Sequence, residues 1–200
     1  MGTSGENTKA TVEDYLNYLD SIEGRAEYYQ GVILDMAGSS DAHSLITGNF
    51  GTALNNALDE LPCRVYGPNS NLAIDLNDAV VMPDVHVVCG KMIYSSQAQK
   101  IHTNAILVVE VLSPSSESFD RGEKFHRYMN VATLQEYVLV DQFQPHVDVL
   151  QRLENGTWLF RCYESIDETI PLGSLNIQIP LSSIYAKVEF EPNPDIAIKS

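Results

Sequence analysis

The chain has 200 residues, 44% hydrophobic and 20% charged, the balance of one ordinary folded domain that needs no disulfide or metal staple. Acidic residues outnumber basic ones 27 to 12, for a formal net charge of −15, which argues against coating nucleic acid by bulk charge, since phosphate affinity comes from Lys and Arg. No apolar run approaches the ~20 residues of a membrane span, and the opening segment lacks the basic start and apolar stretch of a secretory signal, so the expectation is a cytoplasmic protein with no membrane partner.

Residues 1–10 read as a polar, flexible segment, 11–190 as a single domain and 191–200 as a tail. Thr11 caps a helix whose apolar residues Val12, Tyr15, Leu16 and Leu19 share one face. Residues 25–29 and 32–34, parted by Gln30-Gly31, form a hairpin. Ser39, Ser40 or Asp41 caps a second helix reaching about Leu61, with Ile46, Phe50, Leu54, Leu58 and Leu61 on its apolar face. Branched residues then mark strands at 64–66, 72–76, 85–88 and 106–112. Ser115 or Ser116 opens a helix to about Asn130, with Phe125, Tyr128 and Met129 inward, and 136–140 returns to the sheet. Segments 147–153 and 157–163 flank Asn155-Gly156, a strong hairpin signal. The order predicts a mixed α/β (α+β-like) domain built on one sheet. Cys63, Cys89 and Cys162 are odd in number, lack a CxxC pair, and read as buried free thiols.

Glu110 is the most informative residue. It lies in the apolar run 106–112, a pattern of a central strand buried on both faces. A carboxylate there needs a cation, a shared proton or a cleft; a structural ion pair is the plainer alternative. Asp84 follows Met82-Pro83 and leads into the 85–88 strand, and proline is tolerated where a strand begins. Two carboxylates on adjacent strands can hold Mg²⁺, while a turn or cap is the plainer reading of Pro-Asp. Asp120, Lys124 and Tyr128 follow at i, i+4 and i+8 on one helix side; a surface Asp–Lys pair would share that spacing. His43 marks a helix start, as a cap or a cleft residue, and His86 reads as a hydrogen-bonded, half-buried imidazole. The window 91–127 holds five basic against four acidic residues, the one near-neutral stretch open to a polyanion.

These pieces occur in a recognisable order: Glu27-Tyr28-Tyr29-Gln30-Gly31, His43, Pro83-Asp84-Val85, Val109-Glu110-Val111-Leu112-Ser113-Pro114, Asp120 with Lys124 and Tyr128, and Glu136-Tyr137. The set, from about Thr11 to Ile184, resembles the restriction-endonuclease-like family, long known as a domain of unknown function, within the PD-(D/E)XK nuclease superfamily. The resemblance implies a mixed central β-sheet flanked by α-helices, with an added C-terminal β-hairpin. It also implies Asp84 and Glu110 as ligands of Mg²⁺ (or Mn²⁺), Lys124 as their catalytic partner, and Glu27, His43, Asp120 and Tyr128 as cleft support. Phosphodiester hydrolysis of nucleic acid, DNA first, and a homodimer suited to a two-strand cut are the further expectations. One departure stands out: the superfamily places lysine two residues after the strand glutamate, where this chain has Leu112. The alternative function is a catalytically inactive nuclease-fold module for binding or regulation.

Overall fold

A computed structural model describes residues 9–75, 79–96, 98 and 100–194; most of the expected flexible segment 1–10, the end of the tail 191–200, and Leu76 of the expected 72–76 strand lie outside them. The first helix, α1 (Val12–Ser21), is capped by Thr11, whose side chain accepts from the Asp14 N–H while Asp14 accepts from the Thr11 N–H. Two amides that a helix start leaves unpaired are thereby satisfied. The hairpin β1 (Ala26–Tyr29) and β2 (Val32–Asp35) turns through Gln30 at φ 50 and Gly31 at φ 89, the paired positive angles that match strand twist. Helix α2 (Asp41–Ala57) starts from the Ser40 cap. It stops short of the expected Leu61 because Pro62 disfavours helix at the residue before it, and Leu61 is exposed.

The strands that follow are β3 (Cys63–Tyr66), β4 (Asn71–Asp75), β5 (Ala79–Val81), β6 (Val85–Cys89), β7 (Ile101–His102) and β8 (Leu107–Leu112). The next helix is not continuous: α3 (Glu117–Phe119) passes through a π-helical turn (Asp120–Lys124) into α4 (Phe125–Tyr128). Then come β9 (Glu136–Asp141), β10 (Val147–Arg152), β11 (Trp158–Tyr163), β12 (Thr169–Leu172), β13 (Ile177–Pro180) and the short α5 (Leu181–Ile184).

The expectation of one sheet is corrected. Six strands pair in the order β11-β10-β9-β8-β6-β3, five in the order β2-β1-β5-β4-β7, and β12-β13 form a ribbon of their own. In the larger sheet only β8 and β9 run parallel; a helical crossover joins them, as parallel neighbours require. The Asn155-Gly156 hairpin becomes the edge of this sheet, with Gly156 at φ 82. Glu136 anchors the β12–β13 ribbon by accepting the Gly173 N–H at 2.8 Å and the Ser174 N–H at 3.3 Å.

Strand β8 is buried along its whole length, as its apolar run predicts. Leu107, Val109 and Val111 enter a core with Ile46, Phe50 and Leu54 of α2. Val108 and Leu112 face the other way, into a core with Tyr29, Leu72, Val81, Tyr128 and Tyr137. Glu110 shares that second face, because alternate strand residues point the same way. The cysteine reading is also corrected: Cys63 and Cys89 are direct partners across the β3–β6 pair and form a disulfide, and the free Cys162 is exposed. Among the described residues no helix is long and apolar enough to cross a membrane.

Candidate active site

The chain leaves the five-stranded sheet at β5 and enters the six-stranded sheet at β6, and Met82-Pro83-Asp84 is the crossing. Proline fits there because no ladder bond is required of its nitrogen. The antiparallel register pairs Val85 with Val109, so the next step outward sets Asp84 opposite Glu110. Asp84 Oδ2 accepts the Val111 N–H at 2.9 Å, and Oδ1 lies 3.0 Å from His43 Nε2. His43 reaches it because the Ser40 cap accepts the His43 N–H and fixes the first turn of α2. Ser40 Oγ also donates to Gln142, whose Nε2 donates to the Leu112 carbonyl at 2.8 Å.

From the other sheet, β1 turns Ala26 and Tyr28 toward α1 and Glu27 and Tyr29 toward the crossing. Glu27 Oε1 accepts the Met82 N–H at 3.1 Å, and Tyr29 donates to Oε2 at 2.9 Å. The π-helical turn brings in Lys124, whose Nζ lies 2.9 Å from Glu110 Oε1, 3.2 Å from Glu27 Oε1 and 3.4 Å from Asp120 Oδ1. Tyr128 donates to Glu110 Oε1 at 3.3 Å. All seven residues singled out in the sequence therefore meet at one place. An open cleft is lined by Glu27, His43, Asp84, Glu110, Asp120 and Lys124, while the fully buried Tyr128 stands behind Glu110 rather than on the wall. The Asp120–Lys124 pair is buried, not a surface pair.

Glu27, Asp84, Glu110, Asp120 and Lys124 are each only 3–7% exposed, so their charges depend on one another rather than on water. Burial raises Glu110 well above the usual carboxylate range, with Asp120, Asp84 and Glu27 adding to the rise against the pull of Lys124. Burial alone would lower Lys124, but Glu110, Glu27 and Asp120 outweigh it and hold the ammonium charged. Burial also raises Asp120. Asp84 goes the other way: its desolvation is overcome by the His43 hydrogen bond and charge and by the Val111 N–H. The cluster thus carries more carboxyl groups than cations, and its donors are hard oxygens. That is a setting for an ion such as Mg²⁺ or Mn²⁺, and Asp84 and Glu110, facing each other across two strands, are the pair that could hold it.

Three neighbours escaped the sequence reading. Arg25 Nη1 lies 3.8 Å from Asp84 Oδ1, is buried, and has no hydrogen-bond partner among the described residues. Tyr29 and Gln142 complete the supports. Period-two alternation puts Arg25, Glu27 and Tyr29 on one side of β1, a signal available in the sequence; Gln142 had none. His86 is fully buried rather than half-buried, with Nε2 2.9 Å from His102 Nδ1, away from this cleft.

The chain is 32% identical to the uncharacterized protein slr1290 of Synechocystis sp. (strain ATCC 27184 / PCC 6803 / Kazusa) over 182 residues, 91% of this chain and 94% of that one. It is 31% identical to the uncharacterized protein sll1609 of the same organism over 149 residues, 74% and 84% of the two chains. The crystal structure of a protein from Anabaena variabilis ATCC 29413, described as a putative nuclease belonging to DUF820, superposes with a TM-score of 0.70 at 15% identity, covering 90% of this chain and 99% of that one. At that identity the match speaks to the fold. With its family model matching residues 12–182, the chain belongs to the family described as "Uma2: Putative restriction endonuclease".

Proposed function

We propose that the protein is a divalent-metal-dependent nuclease of PD-(D/E)XK type, hydrolysing phosphodiester bonds of nucleic acid, with DNA as the first substrate to test. Asp84 and Glu110 hold Mg²⁺, or Mn²⁺ in its place, which when bound polarises the phosphoryl oxygens and acidifies a water. The observation that carries the reading is Lys124: its Nζ is 2.9 Å from Glu110 Oε1, although it comes from a helix rather than from the strand position occupied by Leu112. Held charged by its carboxylate neighbours, Lys124 acts as a hydrogen-bond donor that orients the attacking water and offsets developing negative charge, not as a base. Glu27 and Asp120 position Lys124, His43 orients Asp84, and Tyr128 steadies Glu110 from behind. Arg25 lines the cleft with its Nη1 3.8 Å from Asp84 Oδ1, and its guanidinium suits a phosphate oxygen.

A homodimer belongs to the same proposal. Two sites suit a two-strand cut, and the edge strands β11 and β2 expose Phe160, Val32 and Leu34. So does a cytoplasmic setting. The second reading, an inactive binding module, is favoured by Leu112 at the superfamily's lysine position.

The test compares wild type with Glu110→Ala on supercoiled plasmid, linear duplex, single-stranded DNA and RNA, with Mg²⁺ or Mn²⁺ at low salt. Cleavage by wild type alone, with Mg²⁺ raising the melting temperature of wild type but not of the variant, is the expected result. Cleavage that survives in Glu110→Ala, or metal binding without cleavage on every substrate, overturns the enzyme and in the latter case leaves the binding module.

A further inference from the structure

A second group of ligating side chains lies far from the oxygen-rich cleft in chemistry, on the edge ribbon β10–β11. Asp148 and Cys162 are register partners there, as are Val147 and Tyr163. One step further out His146 comes opposite Glu164. Directly opposed residues share a face of a sheet, as do residues two apart, so these four side chains project from the same side.

Their spacing is that of a coordination sphere. His146 Nδ1 is 3.6 Å from Glu164 Oε1 and 3.9 Å from Cys162 Sγ, and Sγ is 3.8 Å from Glu164 Oε1. Ligands on a tetrahedral Zn²⁺ ion, at bond lengths of about 2.0–2.3 Å, stand roughly 3.3–3.7 Å from one another. The three atoms need to close by only a few tenths of an ångström. Sγ also lies 3.7 Å from His146 Nε2, but that nitrogen is engaged by Asp148 Oδ1 at 3.0 Å. Asp148 is buried and is held in turn by Arg121. A carboxylate on the far nitrogen of a histidine is the usual outer support of a metal ligand: it fixes the tautomer and leaves the other nitrogen's lone pair free.

We propose that His146 Nδ1, Cys162 Sγ and Glu164 Oε1 form a site for a thiophilic divalent ion, Zn²⁺ in the first place, with Asp148 as the positioning residue behind His146. Binding forms the metal–sulfur, metal–nitrogen and metal–oxygen bonds and displaces the thiol proton to solvent. A mixed sulfur, imidazole and carboxylate set selects Zn²⁺ over Mg²⁺ or Ca²⁺. Cys162 and Glu164 are exposed, so a fourth position opens to water. The ion would clamp the ends of the two strands at the sheet edge, independently of the nuclease reading.

Co²⁺ serves as the probe, because a thiolate ligand gives it a charge-transfer band in the near ultraviolet that oxygen ligands do not. The full-length protein is titrated as wild type, Cys162→Ser, His146→Ala and Glu110→Ala. The expected result is a band saturating at one equivalent in wild type and Glu110→Ala, lost in Cys162→Ser and His146→Ala. Zn²⁺ should abolish it and excess Mg²⁺ should leave it. Cys162→Ser changes one exposed atom, so its fold is not at risk if His146→Ala proves unstable. A wild type without the band, a band that persists in Cys162→Ser, or one lost in Glu110→Ala or displaced by Mg²⁺ overturns the site.

Discussion

Lys124 is the residue on which the cleft turns. A lysine only 3% exposed is costly to bury, and here three carboxyl groups within 3.4 Å compensate it. Its folded-state pKa is raised above the ordinary 10.5, so its stabilising contribution is fully present below that pH and is lost only in stronger base. Removing it leaves Glu27, Glu110 and Asp120 facing one another without a counter-charge. Lys124→Met is therefore expected to cost about 3–5 kcal/mol in urea denaturation at neutral pH, and to abolish cleavage. A variant of wild-type stability would mean that the carboxylates are neutral without it. Leu112 explains why the sequence alone left this residue's place open. On β8 it shares the face of Glu110, where the superfamily puts its lysine, but it packs instead with Tyr128 and Leu139. The ammonium arrives from a helical turn, and no spacing rule along the strand could reveal that.

At the scale of elements, the cleft depends on how helices begin. Ser40 caps α2 through the His43 N–H and also donates to Gln142, so one hydroxyl ties the helix start to the end of β9 and sets His43 over Asp84. Ser40→Ala should cost about 1 kcal/mol of stability, read by denaturation, and should reduce cleavage more than that loss explains, because His43 is released. Unchanged activity in the folded variant would show that His43 is held by Asp84 alone. Elements with a strong local code were legible: the Thr11 cap, a helix start somewhere in 39–41 that the structure assigns to Ser40, the Gln30-Gly31 and Asn155-Gly156 turns, and the apolar run of β8. Those without one were not. Strands β5 and β7 have three and two residues, too few for any period to show. The π-helical turn keeps the i, i+4 spacing of Asp120 and Lys124, so its pattern reads as ordinary helix. The disulfide joins cysteines 26 residues apart that become neighbours only through the β3–β6 register.

At the scale of the whole molecule, the two larger sheets meet along a seam, and both the cleft and a buried histidine pair sit on it. Glu27 comes from the smaller sheet and Glu110 from the larger; likewise His102 belongs to β7 and His86 to β6. The His86–His102 hydrogen bond therefore fastens one sheet to the other, with Tyr66 stacked on His86 at 5.1 Å. His86 Nδ1 has no partner among the described residues, so nothing there would receive a second N–H. Burial, reinforced by His102, lowers His86 from its ordinary 6.5 to about 3, and burial lowers His102 too. Between 6.5 and 3 the unfolded chain binds a proton that the folded chain refuses, so stability falls as pH falls through that window. The loss from His86 is about 1.4 kcal/mol for each pH unit. Glu110, Asp120 and Glu136, whose carboxyls are raised by burial, act in the opposite sense, since protonation favours their folded form. The total pH profile thus mixes both trends, and only a difference isolates the seam. His86→Phe keeps a ring against Tyr66 and removes the titration. Urea denaturation of both proteins on either side of 6.5 should show wild type losing about 1.4 kcal/mol per unit more than the variant. Parallel profiles would mean that His86 accepts its proton without opening the seam between the sheets.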